Sequence, residues 1–495
     1  MNGPLEAGEV SCMNEVNLLI GGEFVAAANG RVFQRRNPIT GVPVTRAAAA
    51  GGADVNAAIR AASAALPGWA ETGPGRRREL LHAAADCLVA HAAEFVTRMI
   101  EETGATEGWA GFNVGLAASL LREAASMTTQ ITGEVIPSEV PENLALAVRQ
   151  PRGVCVGIAP WNAPVILGVR AVAMPLACGN TLVFKASESC PAVHQLIGTA
   201  FREAGLPDGV LNVLTNDPLD AADVVGALCD HPHVRHLNFT GSTRVGRILA
   251  ERAGRNLKPV LLELGGKAPL IVLDDADIDA AAHAAVFGAF LNQGQICMST
   301  ERIVVDESVA DAFVQRLSER AAQLPVRDPS LGPAILGSMV DSAPAERIRI
   351  LIQDAVGKGA RITAGGGGTG TLMEATVLDH VTPAMRIYGE ESFGPVVTVV
   401  RVRGDEQALE TANDTDYGLS ASIFSRDMAR AWKMAQRLES GMCHINGPTV
   451  HDEAQMPFGG VKASGYGRFG GRAAIDEFTT LRWITVQTGE RHYPF

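Results

Sequence analysis

From residue 153 onward the chain repeats one pattern: a short apolar run, a segment of helix length, then another apolar run. The runs are "VCVGIA", "TLVF", "VLNVL", "VRHLNF", "PVLLEL" and "APLIVL". The helical segments between the earlier ones cover 164–178, 190–205, 219–229 and 243–253. Runs this short and this apolar read as strands buried on both faces, and parallel neighbours need crossover helices. The pattern therefore predicts an α/β fold with a doubly wound sheet. A second series follows residue 297: "RIVVD", the helical 307–323, "VVTVVRV", "SASIFS" and a helix near 427–440. Ahead of both, residues 53–130 are Ala-rich and mainly helical, with "TGPGRRREL" as a turn into a helix start.

Two segments fit neither series. "NLALAVRQP" (143–151) and "FTTLRWITVQ" (478–487) alternate like exposed strands. Long unpaired edges invite association, so these strands are expected to pair with each other and with another subunit. An intrachain hairpin arm is the alternative.

Charge and composition narrow the function classes. With 47% apolar and 19% charged residues, a 495-residue chain can bury the cores of two or more domains. A net charge of −12 without a basic block argues against nucleic acid and anionic membrane as partners. The opening "MNGPLEAGEVSCMNE" has neither a positive n-region nor an apolar h-region, so no signal peptide is expected. No uncharged apolar stretch reaches the length of a membrane span. The eight cysteines form no paired motif, which predicts free thiols and a reducing cytoplasm. Cys155 and Cys178 sit in apolar runs and read as small buried hydrophobes. Cys297, in "NQGQICMST", does not; its small, uncharged flanks suggest room for ligands around one sulfur.

Two stretches imitate functional motifs. "GGGGTG" (365–370) lacks a convincing preceding strand and the Gly-Lys-Ser/Thr ending of a phosphate loop, so it reads as a surface turn. In "HPHVRH" (231–236), strand geometry would put His231 and His233 on one face with Arg235, and no acid or cysteine completes a site, so no metal is expected.

Four stretches carry chemistry: "PWNAP" (160–164) after a strand, "FTGSTRVG" (239–246) at a strand-to-helix turn, "LELGGKAP" (262–269), and the Cys297 segment. The turn at Gly241, Ser242 and Thr243 presents N–H groups and the positive end of a helix dipole, an anion site or a plain N-cap. Glu263 follows apolar "PVLL"; a carboxylate there is expensive to bury unless hydrogen-bonded or protonated. It is either a structural acid at a strand end or a poised general base.

Together with "FKASE", "EESFGPV", "NDTDYGLSASIF" and "PFGGVKASGYGR", in this order, these stretches resemble the NAD(P)-dependent aldehyde dehydrogenase superfamily over about residues 16–487. "LELGGK" is similar to its glutamate signature and "NQGQICMST" to its cysteine signature. Within the family, "GVRAVAMPLACGNTLVFKASE" and "SGYGRFGG…FTTLRWIT" resemble the salicylaldehyde/vanillin dehydrogenase group.

The resemblance implies a Rossmann-like cofactor domain (1–128 with 152–264), a catalytic domain (265–465) and a small β oligomerisation arm (129–151 with 466–495). It implies Cys297 as nucleophile, Asn162 and the Cys297 N–H as oxyanion donors, and Glu263 as the base for thioester hydrolysis. The cofactor it implies is NAD. Ala159, Pro160, Trp161, Gly241, Ser242, Leu264 and Gly265 line its site by motif. Lys185 and Glu188 meet the adenosine ribose, with Glu188 disfavouring a 2′-phosphate. Glu391 and Phe393 position the nicotinamide end. A small-molecule aldehyde is the implied partner, in a homodimer or homotetramer.

Two positions depart from the wider family. Ala171 and Phe469 stand where many members carry a lysine and a glutamate that help relay protons for the base. Arg170 also stands out, beside the implied aldehyde tunnel. It reads either as a cation facing a phenolate, carboxylate or ring of the substrate, or as half of a structural ion pair. Trp109 and Phe458 are candidate aromatic walls, and "PTVHDEAQMPF" (448–458) the tunnel mouth. The expected reaction is oxidation of an aromatic aldehyde to its acid. A semialdehyde or broad aliphatic dehydrogenase is the alternative, a non-catalytic binding protein on the same fold a remote one.

Overall fold

The computed structural model describes residues 13–495. Cys12 and most of the opening stretch examined for a signal peptide lie outside the described residues.

The first apolar series forms one sheet. Its parallel strands are β1 (Val154–Ile158), β2 (Thr181–Lys185), β3 (Leu211–Leu214), β4 (Val234–Thr240) and β5 (Val260–Glu263). They lie in the order β3-β2-β1-β4-β5. All residues of β1, β2 and β3 are buried, which is why these strands read as unbroken apolar runs rather than alternating ones. Strand order reverses direction between β1 and β4, and a crevice opens above their carboxyl ends. The helix Pro164–Ala177 is buried along its entire length. It shares one hydrophobic core with the helix Glu107–Met127 and with Phe458, Phe469 and Phe478.

Short antiparallel strands extend this sheet at both edges. Leu18–Ile20 and Glu23–Val25 add beside β3, and Gly465–Tyr466 adds beside β5 with Gly465 opposite Glu263. The strands Asn14–Val16, Pro43–Ala48 and Val32–Arg36 make a separate small sheet. The sequence pattern showed none of these: four are runs of two or three residues with no readable period, and Val32–Arg36 and Pro43–Ala48 lie ahead of the stretches that the apolar pattern covered.

The second series forms a second sheet from β6 (Ala268–Val272), β7 (Thr300–Asp306), β8 (Thr376–Asp379), β9 (Val396–Val402), β10 (Ser420–Phe424) and β11 (Met442–Ile445). The order is β8-β9-β7-β6-β10-β11, with Arg361–Ala364 antiparallel at the outer edge. Thus "APLIVL", the last apolar run of the first series, opens the second sheet. The "LGGK" residues 264–267 are the passage between the two sheets.

The outlying alternating segments do pair. Asn143–Pro151 and Thr479–Gln487 run antiparallel from Pro151 opposite Thr479 to Asn143 opposite Gln487. Glu134–Ile136 pairs on the other side of Asn143–Pro151.

Two details of the imitation motifs change. A strand, Arg361–Ala364, does precede the glycine run, and the run turns into a hairpin between Gly368–Thr369 and Leu372–Met373. The strand containing His236 begins only at Val234, so His231 caps a helix and His233 lies in a turn; they do not share a strand face. Among the described residues no group of three or more His, Cys, Asp or Glu side chains is arranged to hold a metal ion, and no single helix is long and apolar enough to cross a membrane.

Candidate active site

Cys297 lies on the loop that leads into β7, between two cavities. One, of about 240 Å³, is walled by Trp109, Phe112, Phe287 and Phe458, with Arg170 and Asp452 among its few polar neighbours. The other, of about 270 Å³, is bounded by residues after the carboxyl ends of β1, β4 and β5, and by Glu391 and Phe393. Cys297, Asn162 and Leu167 border both.

The Cys297 loop is held by its neighbours. Asn292, Gln293 and Gly294 are consecutive residues with φ of 49°, 55° and 67°. Such a conformation costs about 1–3 kcal/mol at each non-glycine position and persists only where surroundings enforce it. The enforcement is visible. Gln293 donates to the Ser338 carbonyl at 3.0 Å and accepts from the Gly337 N–H at 2.9 Å. Gln295 accepts from the Val340 N–H at 3.0 Å. Both glutamines are buried. The polar flanks of Cys297 therefore also act as clamps, while the sulfur itself borders open space on two sides.

Asn162 follows β1. Its Nδ2 donates to the Gln295 carbonyl at 2.9 Å, which leaves a second amide hydrogen on a residue that borders the same two cavities as Cys297. The Asn162 carbonyl accepts from Trp109 Nε1 at 2.9 Å and Asn292 Nδ2 at 3.0 Å. Trp109 is thus both a wall of the aromatic cavity and an anchor for the amide.

Glu263 ends β5, completely buried, and neither carboxylate oxygen has a hydrogen-bond partner among the described residues. Burial pushes its pKa up to about 7, against the lowering effects of the Cys297 thiol, the Arg170 charge and Thr240. Burial and the nearby Glu263 push the Cys297 thiol well above its ordinary range, while Arg170 pulls it down. Burial makes ionisation costly for both groups, and more so for the thiol.

The two glycines after Glu263 have separate reasons. A Cβ on Gly265 would stand 2.6 Å from a Glu391 carboxylate oxygen, and one on Gly266 would stand 2.4 Å from the Cys297 carbonyl. Both positions need a bare backbone for the loop, the acid and the cysteine to close on each other. Glu391 accepts from the Gly266 N–H at 2.8 Å, and burial raises its pKa to about 7. The 391–393 turn is carried by a buried pair that sequence reading missed: Lys267 Nζ lies 2.6 Å from Glu301. Glu301 in turn accepts from the N–H groups of Ser392 at 2.7 Å and Phe393 at 2.8 Å. Phe393, at φ 51°, meets Trp161 edge-on at 5.9 Å between ring centroids.

Pro160, Trp161, Gly241, Ser242, Leu264 and Gly265 border the second cavity together, as the motifs suggested. Ser242 caps the helix Thr243–Arg255 by accepting from the Val245 N–H, and the other first-turn N–H groups have no partner within the helix. Ala159 is buried directly behind Pro160 and does not border the cavity. Lys185 and Glu188 do not border it either. They lie at the carboxyl end of β2, the neighbour of β1, where Glu188 is paired with Lys185 and accepts from Asn216 Nδ2 at 2.9 Å.

Of its two readings, Arg170 shows the ion pair, and it does so in the cavity wall. It borders the aromatic cavity and lies 4.3 Å from the Phe458 ring centroid, and it is also half of a buried ion pair, 2.6 Å from Asp452. Asp452 is one of two adjacent acids in the expected tunnel mouth, the other being Glu453, and nothing local distinguished them. Phe112 was findable as the residue one helical turn beyond Trp109. Ala171 and Phe469 are both buried in apolar packing and offer no titratable side chain to Glu263.

The aldehyde dehydrogenase family profile matches residues 24–484. Vanillin dehydrogenase of Pseudomonas fluorescens is 60% identical over 97% of this chain and 100% of its own length. Salicylaldehyde dehydrogenase of Pseudomonas sp. (strain C18) is 49% identical over the same shares. The crystal structure of a salicylaldehyde dehydrogenase from Pseudomonas putida G7, complexed with salicylaldehyde, superposes with a TM-score of 0.96 at 49% identity, covering 97% of this chain and 100% of that one. A cysteine between a crevice at a strand-order reversal and an aromatic cavity, a buried unpaired glutamate, and these likenesses agree: the chain is an oxidoreductase of the aldehyde dehydrogenase family.

Proposed function

We propose that this enzyme oxidises aromatic aldehydes to carboxylic acids with NAD, through a covalent bond to Cys297. The observation that carries the reading is the aromatic cavity ending on the one sulfur that also borders the crevice. Relatives named for vanillin and salicylaldehyde support the same substrate class. In this reading the β1–β5 sheet with 1–128 is the cofactor domain (1–128 and 152–264), and 265–465 is the catalytic domain.

The crevice fits a dinucleotide in three respects. Gly241 leaves the backbone bare where a Cβ would strike the Phe239 ring at 2.4 Å. The helix start at Ser242 offers N–H groups to a pyrophosphate. Glu188, next to the end of β2, presents a carboxylate to ribose hydroxyls and engages Lys185, so no free cation waits for a 2′-phosphate. Bound there, NAD supplies the hydride acceptor.

The chain's own residues do the rest. Cys297 gives up its proton to water, and its thiolate sulfur adds to the aldehyde carbon, giving a thiohemiacetal. The free Asn162 amide hydrogen and the Cys297 N–H stabilise the oxyanion. Loss of hydride leaves a thioester on Cys297. Glu263, in its ionised form, takes a proton from water, and the hydroxide adds to the thioester. The acid departs and the thiol is restored. Ala171 and Phe469 carry no proton onward, so Glu263 exchanges its proton by another route.

The test is NADH formation with benzaldehyde, salicylaldehyde, vanillin, succinic semialdehyde and short aliphatic aldehydes. Highest kcat/KM is expected for the aromatic members. No turnover with any aldehyde overturns the reaction class; a preference for the semialdehyde or short aliphatics overturns the aromatic reading.

A further inference from the structure

The aromatic cavity holds one ion pair in its wall. Arg170, on the buried helix Pro164–Ala177, meets Asp452 from the loop ahead of Phe458, Nη2 to Oδ2 at 2.6 Å. The two side chains are 4% and 10% exposed. The guanidinium also lies over the Phe458 ring. A lone cation at this depth would be costly and would draw any anion able to reach it. Asp452 removes that pull from within the protein. The other charged groups of the loop do not compete, since His451 and Glu453 engage each other at 2.9 Å and the His444 ring packs on His451 at 5.1 Å.

We propose that Asp452 determines specificity by acting through Arg170: it neutralises the guanidinium and holds it against Phe458, so the cavity takes neutral aromatic aldehydes and rejects aldehydes that carry a carboxylate. This rests on the aldehyde-oxidising reading of Cys297 and deepens it. Asp452 is a positioning residue, and it touches the substrate only by way of the group it holds. The arrangement accounts for an arginine in a cavity whose walls are mostly apolar or aromatic. Unpaired, the same arginine would make an anion site.

The experiment compares matched substrates that differ by one carboxylate: benzaldehyde with 4-carboxybenzaldehyde, and butanal with succinic semialdehyde. Wild type is expected to favour the neutral member of each pair. In Asp452→Asn the ratio of kcat/KM values should shift by about tenfold or more toward the carboxylated member, the scale of leaving one partner of a buried charge pair unpaired. The shift should fall in KM rather than kcat. Asp452→Glu should restore the wild-type ratio, and Arg170→Met with Asp452→Asn should abolish the shift. An unchanged ratio in folded Asp452→Asn overturns the proposal. If that variant does not fold, Arg170→Met with Asp452→Leu decides: retained rejection of the carboxylated member supports neutralisation, and its acceptance overturns it. The butanal pair keeps the test readable should the aromatic reading alone fail.

Discussion

Glu263 shows what the site demands of a single residue. It is buried without a hydrogen-bond partner among the described residues, and its pKa is pushed up to about 7. As a base it works only when ionised, so kcat should rise with pH through about 7 and level off above. Glu263→Gln should cut steady-state turnover by roughly 10²–10⁴-fold, while a single burst of NADH survives because hydride loss precedes hydrolysis. Rapid-mixing kinetics separate the two; loss of burst and turnover together would assign Glu263 to the first half-reaction instead. Stability should run the opposite way. A carboxyl with a raised folded-state pKa binds its proton more tightly in the folded chain, so folding loses stability as pH rises from the ordinary carboxyl range through about 7. The neutral Glu263→Gln variant escapes that loss, and its melting temperature should exceed wild type at pH 8 by more than at pH 5. Cys297, Glu263 and Asn162 could be singled out in the sequence because their motifs are local, and the structure sets all three on the border of one cavity. Asp452 and Glu301 could not, since each matters through a partner 282 or 34 positions away.

At the scale of elements, the strands supply the site and the turns aim it. The apolar runs named every strand of both parallel sheets except Thr376–Asp379 and Met442–Ile445, which lie in stretches the pattern left unread. The turns were opaque, because a left-handed backbone at Asn292 and Gln293 is enforced by residues 337–340 and not by local propensity. Gln295→Ala would leave the Val340 N–H without its acceptor and loosen the loop that carries the sulfur. A displacement near 1 Å costs about 10²-fold in a positioned reaction, so kcat should fall by that order while KM for NAD changes little. An equal rise in that KM would place the effect in the crevice instead. The 391–393 turn should show the reverse pattern. Glu301→Gln weakens the buried pair with Lys267 and an acceptor for two backbone N–H groups. Breaking such a pair costs about 3–5 kcal/mol, so the melting temperature should drop by several degrees. KM for NAD should rise more than kcat falls, as steady-state kinetics on the same preparation would show.

The whole molecule carries its two sheets beside an arm that neither core needs. Arg149 and Asp476, 2.6 Å apart, fix the arm's root to the helix Ala473–Phe478, and Phe478 packs against His236 of β4. Beyond that root the strands leave the cores. Thr479–Gln487 is paired on one side only, and Leu481, Trp483 and Val135 are 61%, 76% and 71% exposed. A long apolar strand edge left open in water recruits another chain, and natural proteins blunt such edges with charge when they stay single. The alternating pattern made the arm visible in the sequence, and the intrachain pairing answers half of what that pattern asked. We expect another subunit to supply the other half. Light scattering should give the mass of two or four chains. Leu481→Lys with Trp483→Lys places charge on the open strand without touching either cavity, and should shift the mass toward a single chain. The dissociated chain should keep its cysteine reactivity toward a thiol reagent, since Cys297 and its clamps come from one polypeptide. A single-chain mass for wild type, or a double-lysine variant that stays assembled, would mean that the arm's exposed residues are not what holds subunits together.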